Sequence, residues 1–145
     1  MISIIIVTHS NVATNLLEAA ERILGKQTNL MGLNLNTEDS LADLTAKIAR
    51  AMQEGISSCA DQTSVGVLVL TDLFGSTPTN ASLSQIRILN QPIEILTGVN
   101  LPMMISSLTY RNKMNLTELA AKVLSDGQKG IRNAKTELMS RLGAK

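Results

Sequence analysis

The stretch that decides the fold is VGVLVLTDLFGSTPTNAS, residues 65–82. Its first six residues are apolar or glycine and rich in valine and leucine, which is typical of a strand buried on both faces of a parallel sheet. After Asp72 comes a short loop with Gly75, and Thr77 and Pro78 then predict a helix, with Thr77 as N-cap and Pro78 at the first helical position. A strand, a tight turn and a helix N-terminus together leave free backbone N–H groups at the carboxyl edge of the sheet, where anions bind.

A second loop of the same kind lies near the start of the chain. The apolar residues 2–7 predict a buried strand, and Thr8, His9, Ser10 and Asn11 follow it. This loop contains the only histidine of the sequence. The two loops are therefore the first places to search for chemistry.

Length and composition indicate one globular domain over residues 1–145. Hydrophobic residues make up 44% of the chain and charged residues 17%, which argues against disorder. No apolar run approaches about 18 residues, and the N-terminus has no signal-peptide pattern. The single cysteine, Cys59, excludes a disulfide framework and suits a reducing compartment, so we expect a cytoplasmic protein.

The charge of the chain is unevenly distributed. Residues 1–110 contain 5 basic and 9 acidic side chains, whereas residues 111–145 contain 8 basic and 3 acidic ones. A basic segment can bind nucleic acid, but only Phe74 and Tyr110 could stack on bases. We therefore interpret the basic segment as a solvated helical surface and expect no nucleic-acid partner.

Strand and helix signals alternate along the chain. Strands are predicted over residues 2–7, 28–35, 65–70 and 92–96, each followed by a helix with its own start signal. The helix after Thr77 should bury Leu83, Ile86 and Leu89. After Gly130 the signal weakens, and it predicts a short edge strand over 131–134 and a terminal helix over 136–142.

Four strands joined by helices indicate an α/β fold, namely an open, doubly wound, mainly parallel sheet with helices on both faces. The simplest strand order is 2-1-3-4, which makes the first and third strands neighbours. Ligands bind such sheets at the carboxyl edge, where the order reverses. We therefore expect His9 and Asp72 to meet there, with Gly98, Val99 and Asn100 beside them.

The possible chemistries narrow by elimination. The sequence has no phosphate-binding glycine motif of the nucleotide-binding kinds, and one histidine with one distant cysteine does not make a metal site. Ser10 adjoins His9, but no G-x-S-x-G elbow supports a serine nucleophile. What remains is His9 itself as the nucleophile, with a carboxylate on its other ring nitrogen, or else a histidine with a structural role.

Three motifs together resemble the IIA component of the mannose family in the bacterial phosphoenolpyruvate-dependent sugar phosphotransferase system. They are IIIVTHS at residues 4–10, TDLFGSTPTNA at 71–81 and GVNLPM at 98–103, and the similarity covers about residues 1–133. The resemblance implies that His9 is phosphorylated and that Asp72 is its carboxylate partner. It also implies a phosphate cradle, for which we expect the residues Ser10, Phe74, Gly75, Ser76 and Thr77.

The resemblance implies partners as well. HPr should donate the phosphoryl group, and a separate IIB component should accept it. The protein should also associate peripherally with the IIC/IID permease in the membrane. It also implies a homodimer, in which a C-terminal strand, here 131–134, crosses to the other subunit. No metal and no cofactor are expected.

Some positions depart from the family pattern, and two other functions stay open. The family usually has glycine at the positions of Ser10 and Ser76 and serine at that of Thr77. The motif around His9 also resembles the phosphocarrier domain that serves dihydroxyacetone kinase. A third interpretation is a regulatory module whose phosphorylation at His9 signals sugar supply.

Overall fold

The computed structural model describes residues 1–36, 38–58 and 66–143, in which four strands alternate with helices and two further helices follow. The four strands are β1 (Ser3–His9), β2 (Leu30–Leu35), β3 (Val67–Thr71) and β4 (Ile93–Thr97). The helices are α1 (Val12–Leu24), α2 (Leu41–Ser57), α3 (Thr77–Leu89), α4 (Leu101–Tyr110), α5 (Leu116–Lys129) and α6 (Ala134–Gly143). Cys59 lies outside the described residues. None of the helices in these ranges is long and apolar enough to cross a membrane.

The strands form one parallel sheet in the order β2-β1-β3-β4, which confirms the predicted order. In the register of β1 with β3, Val7 pairs with Thr71, and in that of β1 with β2, His9 pairs with Leu35. Asp72 follows Thr71 directly, so its side chain begins next to the end of β1. The predicted meeting of His9 and Asp72 at the carboxyl edge follows from this register.

Each face of the sheet carries its own core. Ile4, Ile6, Leu68 and Leu70 belong to one cluster, which α1, α4 and α5 cover. The alternate strand residues, including Ile5, Val7 and Val69, pack in a second cluster with α2 and α3. Both clusters are closed to water, as the near-continuous apolar strands predicted.

Helix α3 packs on the sheet with a different face from the one that was predicted. Leu83 and Ile86 are exposed, and only Leu89 of the predicted stripe packs against the core. The buried face consists of small and polar residues instead: Pro78, Thr79, Ala81, Ser82 and Gln85. The N-cap is Ser76 rather than Thr77, which is the first residue of the helix. The prediction failed because the loop before α3, and not its apolar periodicity, sets the rotation of the helix.

The C-terminal segment does not join the sheet within one chain. Residues 131–133 form neither helix nor strand, and Ala134 begins α6, which has no buried residue. The predicted terminal helix is confirmed in this form. An exchanged edge strand over 131–134 needs a second copy of the chain, so it stays a prediction.

Candidate functional site

His9 is the last residue of β1, and the residues around it turn the chain sharply into α1. Thr8 Oγ1 accepts a hydrogen bond of 2.7 Å from the N–H of Ala13, which satisfies a free donor in the first turn of α1. Ser10 has φ +48° and donates its N–H to Leu35 O at 2.9 Å. This left-handed turn leaves the His9 side chain 45% exposed at the edge of the sheet.

One carboxylate oxygen holds His9 at two points. Asp72 Oδ2 accepts the backbone N–H of His9 at 2.8 Å and lies 2.8 Å from Nδ1 of its ring. Asp72 Oδ1 accepts the N–H of Leu73 at 2.8 Å. Burial by itself would raise the pKa of Asp72, but the hydrogen bonds from the backbone and ring of His9 outweigh it and bring this pKa below the usual 3.8. The carboxyl group is therefore ionised at neutral pH.

The ionised carboxylate decides the tautomer of the ring. A carboxylate can only accept hydrogen bonds, so Nδ1 of His9 must carry the proton that lies between it and Asp72 Oδ2. In the neutral ring Nε2 then has no proton and keeps its lone pair. The arrangement gives one nucleophilic nitrogen, held by a carboxylate through the other.

A cavity of about 460 Å³ opens beside this pair. Its lining consists of His9, Ser10, Leu35, Asn36, Asp39, Leu41 and Thr77. Of the predicted cradle it therefore contains Ser10 and Thr77 but not Phe74, Gly75 or Ser76. The hydroxyls of Ser10 and Thr77 have no hydrogen-bond partner within the described part of the chain, so both are free to donate to a bound anion.

The loop between Asp72 and α3 is held together by the carbonyl oxygen of Leu73. This oxygen accepts hydrogen bonds from Ser76 N (3.2 Å), Ser76 Oγ (2.7 Å) and Thr79 Oγ1 (2.7 Å). The N–H of Ser76 is therefore occupied, whereas those of Phe74, Gly75 and Thr77 have no acceptor among the described residues. Gly75 has φ +76° and open space around it, so its backbone conformation is what requires glycine.

One side of the cavity was not predicted from the sequence. It is formed by the segment that joins β2 to α2. Asp39 stands in the cavity as an acidic group, and Lys47 binds its Oδ1 at 2.6 Å while Asn36 N–H donates to Oδ2 at 3.0 Å. The hydrogen bond from Lys47 lowers the pKa of Asp39. The signal was present in the sequence, because these residues follow a strand next to β1 and so reach the same edge. The predicted loop of Gly98 does not line this cavity, and it is joined to the site by hydrogen bonds from Gly98 N–H to Asp72 O at 3.1 Å and from Val99 N–H to Thr71 O at 2.9 Å.

The site does not have the composition of a metal centre. Among residues 1–36, 38–58 and 66–143, no group of three or more His, Cys, Asp or Glu side chains could hold a metal ion. Its parts are a nucleophilic nitrogen, a carboxylate, two free hydroxyls and free amides at a helix start. These are groups that receive and hold a phosphoryl group.

The comparison with protein families agrees with this set of groups. The model of the family described as "PTS system fructose IIA component" matches residues 3–124. The chain belongs to this family. This membership agrees with the resemblance of its motifs to the IIA component of the mannose family.

Relatives with named sugars support the assignment. The chain is 31% identical over 141 residues to the mannose-specific EIIAB component of Escherichia coli, covering 94% of this chain but only 40% of that protein. It is 29% identical over 121 residues to the sorbose-specific EIIA component of Lacticaseibacillus casei, covering 83% of this chain and 82% of the other. The family thus includes proteins named for different sugars.

Solved structures match the whole architecture. The EIIA component of Streptococcus agalactiae superposes with a TM-score of 0.83 at 30% identity, covering 94% of this chain and 99% of the other. A PTS IIA protein associated with the fucose utilization operon of Streptococcus pneumoniae gives a TM-score of 0.79 at 29% identity, covering 94% of this chain and 96% of the other. The α/β fold is thus that of solved IIA proteins.

Proposed function

We propose that this chain is a phosphohistidine carrier, which accepts a phosphoryl group from HPr on Nε2 of His9 and passes it to a IIB component. The observation that supports this most strongly is that Asp72 Oδ2 contacts both the backbone N–H and Nδ1 of His9. It fixes the backbone and the tautomer of one residue and leaves a single nitrogen for attack. Membership of the IIA family supplies the type of reaction.

The transfer needs no external base. The bond between phosphorus and its donor atom in HPr breaks as a bond forms from phosphorus to Nε2 of His9, and the electron pair stays with the donor. The proton on Nδ1 remains between the ring and Asp72 throughout. Transfer to IIB is the same exchange in the other direction, with His9 as the leaving group.

The cavity is suited to the incoming charge. The phosphoryl group adds roughly two negative charges, and Ser10 and Thr77 offer hydroxyls to its oxygens. Asp39 would repel it, but Lys47 already pairs with this carboxylate. The phosphorylated ring stays next to Asp72, and repulsion between the two keeps the phosphoryl group transferable.

Labelling tests the proposal directly. The protein is incubated with labelled phosphoenolpyruvate, enzyme I and HPr, and then with a IIB component. We expect an acid-labile, base-stable phosphate on wild-type protein, its absence from His9→Ala, and loss of label to IIB. Label retained by folded His9→Ala would contradict the proposal, and label that IIB cannot remove would favour a regulatory module.

The proposal includes the assembly. We propose a homodimer in which residues 131–134 of each chain lie on the sheet of the other, with peripheral association to the IIC/IID permease through IIB. Three features support the dimer, of which the first two are that α6 buries nothing in its own chain and that Ile131 is 81% exposed. The sheet edge at β4 has no strand partner beyond β3 in the described part of the chain.

A further inference from the structure

The backbone of Leu73 is fixed on both sides of its Cα. Its N–H donates to Asp72 Oδ1 at 2.8 Å, and its carbonyl oxygen accepts the three hydrogen bonds from Ser76 and Thr79. A carbonyl oxygen has two lone pairs, so three donors saturate it. No other peptide group between Asp72 and Ser76 makes as many hydrogen bonds.

Thr79 is the buried member of this set. It is 1% exposed, and its hydroxyl lies 2.8 Å from that of Thr71, which is fully buried at the end of β3. Because Thr79 donates its only hydroxyl proton to Leu73 O, Thr71 must donate to Thr79. The hydrogen bonds therefore run in one direction, from Thr71 through Thr79 to Leu73.

We propose that Thr79 is a positioning residue for phosphotransfer, acting on His9 through Leu73 and Asp72. The inference rests on the proposed function. The Thr79 hydroxyl anchors the Leu73 peptide, whose N–H holds one oxygen of Asp72, and the other oxygen holds His9. Thr79 thereby keeps the carboxylate in the orientation that gives the Nδ1–H tautomer.

The same contacts explain why α3 turns polar residues to the sheet. A buried hydroxyl is costly unless it is hydrogen-bonded, and Thr79 has two partners at 2.7 and 2.8 Å. An apolar residue at this position would pack as well but would leave the hydroxyl of Thr71 with no partner. The rotation that exposes Leu83 is the one that brings Thr79 beneath the loop.

The test compares three variants of the full chain. Thr79→Val removes the hydroxyl at nearly constant shape, Thr79→Ser restores it, and Ser82→Ala is the matched control. Ser82 is also buried in α3, but its hydroxyl donates to Pro78 O and does not touch the loop. We expect Thr79→Val to slow phosphorylation of His9 by HPr on the order of tenfold, as the loss of one positioning hydrogen bond would. Thr79→Ser and Ser82→Ala should stay within about twofold of wild type.

A second readout separates positioning from mere stability. Nitrogen-15 NMR of the His9 ring in its neutral form reports the ratio of the two tautomers without any partner protein. We expect the fraction of the Nε2–H tautomer to rise in Thr79→Val and the other two variants to keep the wild-type ratio. If Thr79→Val does not fold, Thr79→Ala is measured in the same way.

The outcomes are distinguishable. An unchanged tautomer ratio in the hydroxyl-free variant overturns the role of Thr79, even if its melting temperature falls. An equal shift in Ser82→Ala overturns it as well. A shift confined to the hydroxyl-free variant supports it whether or not His9 is phosphorylated, so failure of the proposed function would be recognised separately by the labelling experiment.

Discussion

A single oxygen of Asp72, Oδ2, lies 2.8 Å from both the backbone nitrogen and Nδ1 of His9. The ring and the backbone of the same residue are thus held by one acceptor. The ring cannot turn over without losing the contact with Nδ1, and the carboxylate cannot move without releasing the backbone. This relationship makes Asp72 the first residue to test.

The first prediction is that Asp72→Asn slows phosphotransfer by on the order of 10–10³-fold. In a serine-protease triad the comparable change costs about 10⁴, and we expect less here because no proton relay is needed. Asn can still accept one hydrogen bond, but it lacks the negative charge that fixes the proton on Nδ1. Single-turnover phosphorylation by HPr measures the effect, with circular dichroism as the control for folding. A rate within about twofold of wild type would reduce Asp72 to a turn residue.

The second prediction concerns the pH dependence of stability. The pKa of Asp72 is lower in the folded protein than the usual 3.8, so its contribution is complete above that value and is lost as the pH falls through the folded-state pKa. The free energy of unfolding of wild type should therefore fall more steeply below about pH 4 than that of Asp72→Asn. Urea titrations at a series of pH values measure this difference. Parallel curves for the two proteins would contradict it.

These predictions rest on a part of the molecule that the sequence indicated well. Parallel strands carry their loops to one edge, so buried strands before His9 and Asp72 sufficed to bring the two residues together. The wall formed by Asn36, Asp39 and Leu41 was missed, although it obeys the same rule, because none of these residues has a motif of its own.

The orientation of α3 shows what the sequence could not predict. Apolar periodicity favoured a buried Leu83, but three hydrogen bonds to Leu73 O fix where the helix begins and how it is rotated. Such bonds depend on the loop conformation, which propensities do not describe. The polar residues Thr79, Ser82 and Gln85 are consequently buried and the leucine is not.

The third prediction concerns recognition of the phosphoryl donor. Phe74 is 81% exposed in the loop that follows Asp72, where an aromatic ring gains little from its own chain. We expect Phe74→Ala to raise the KM for HPr about 5- to 30-fold, the cost of losing a partly buried aromatic contact, with little change in kcat. Ile23→Ala is the matched control, since this apolar residue is also exposed, near the end of α1. An equal KM for both variants would exclude a docking role for Phe74.

The last prediction concerns the C-terminal segment and the dimer. Residues 131–143 contain Ile131, Leu138, Met139 and Leu142, all of them exposed in the single chain. An apolar segment of this kind gains stability only when another surface covers it, and the β4 edge of a second copy can take 131–134 as a strand. We therefore expect a twofold dimer at micromolar concentration, and a monomer after truncation at Gly130, which leaves α5 complete.

Two measurements decide the question of the dimer. Light scattering gives the mass of wild type and of the truncated chain, and circular dichroism shows whether the truncated chain stays folded. The matched variant is Leu24→Ala, which removes another exposed apolar side chain, at the end of α1, and should leave the dimer intact. A monomeric wild type, or a truncated chain that stays fully dimeric, would contradict the exchange of residues 131–134. A folded monomer from the truncation alone would assign the interface to this segment.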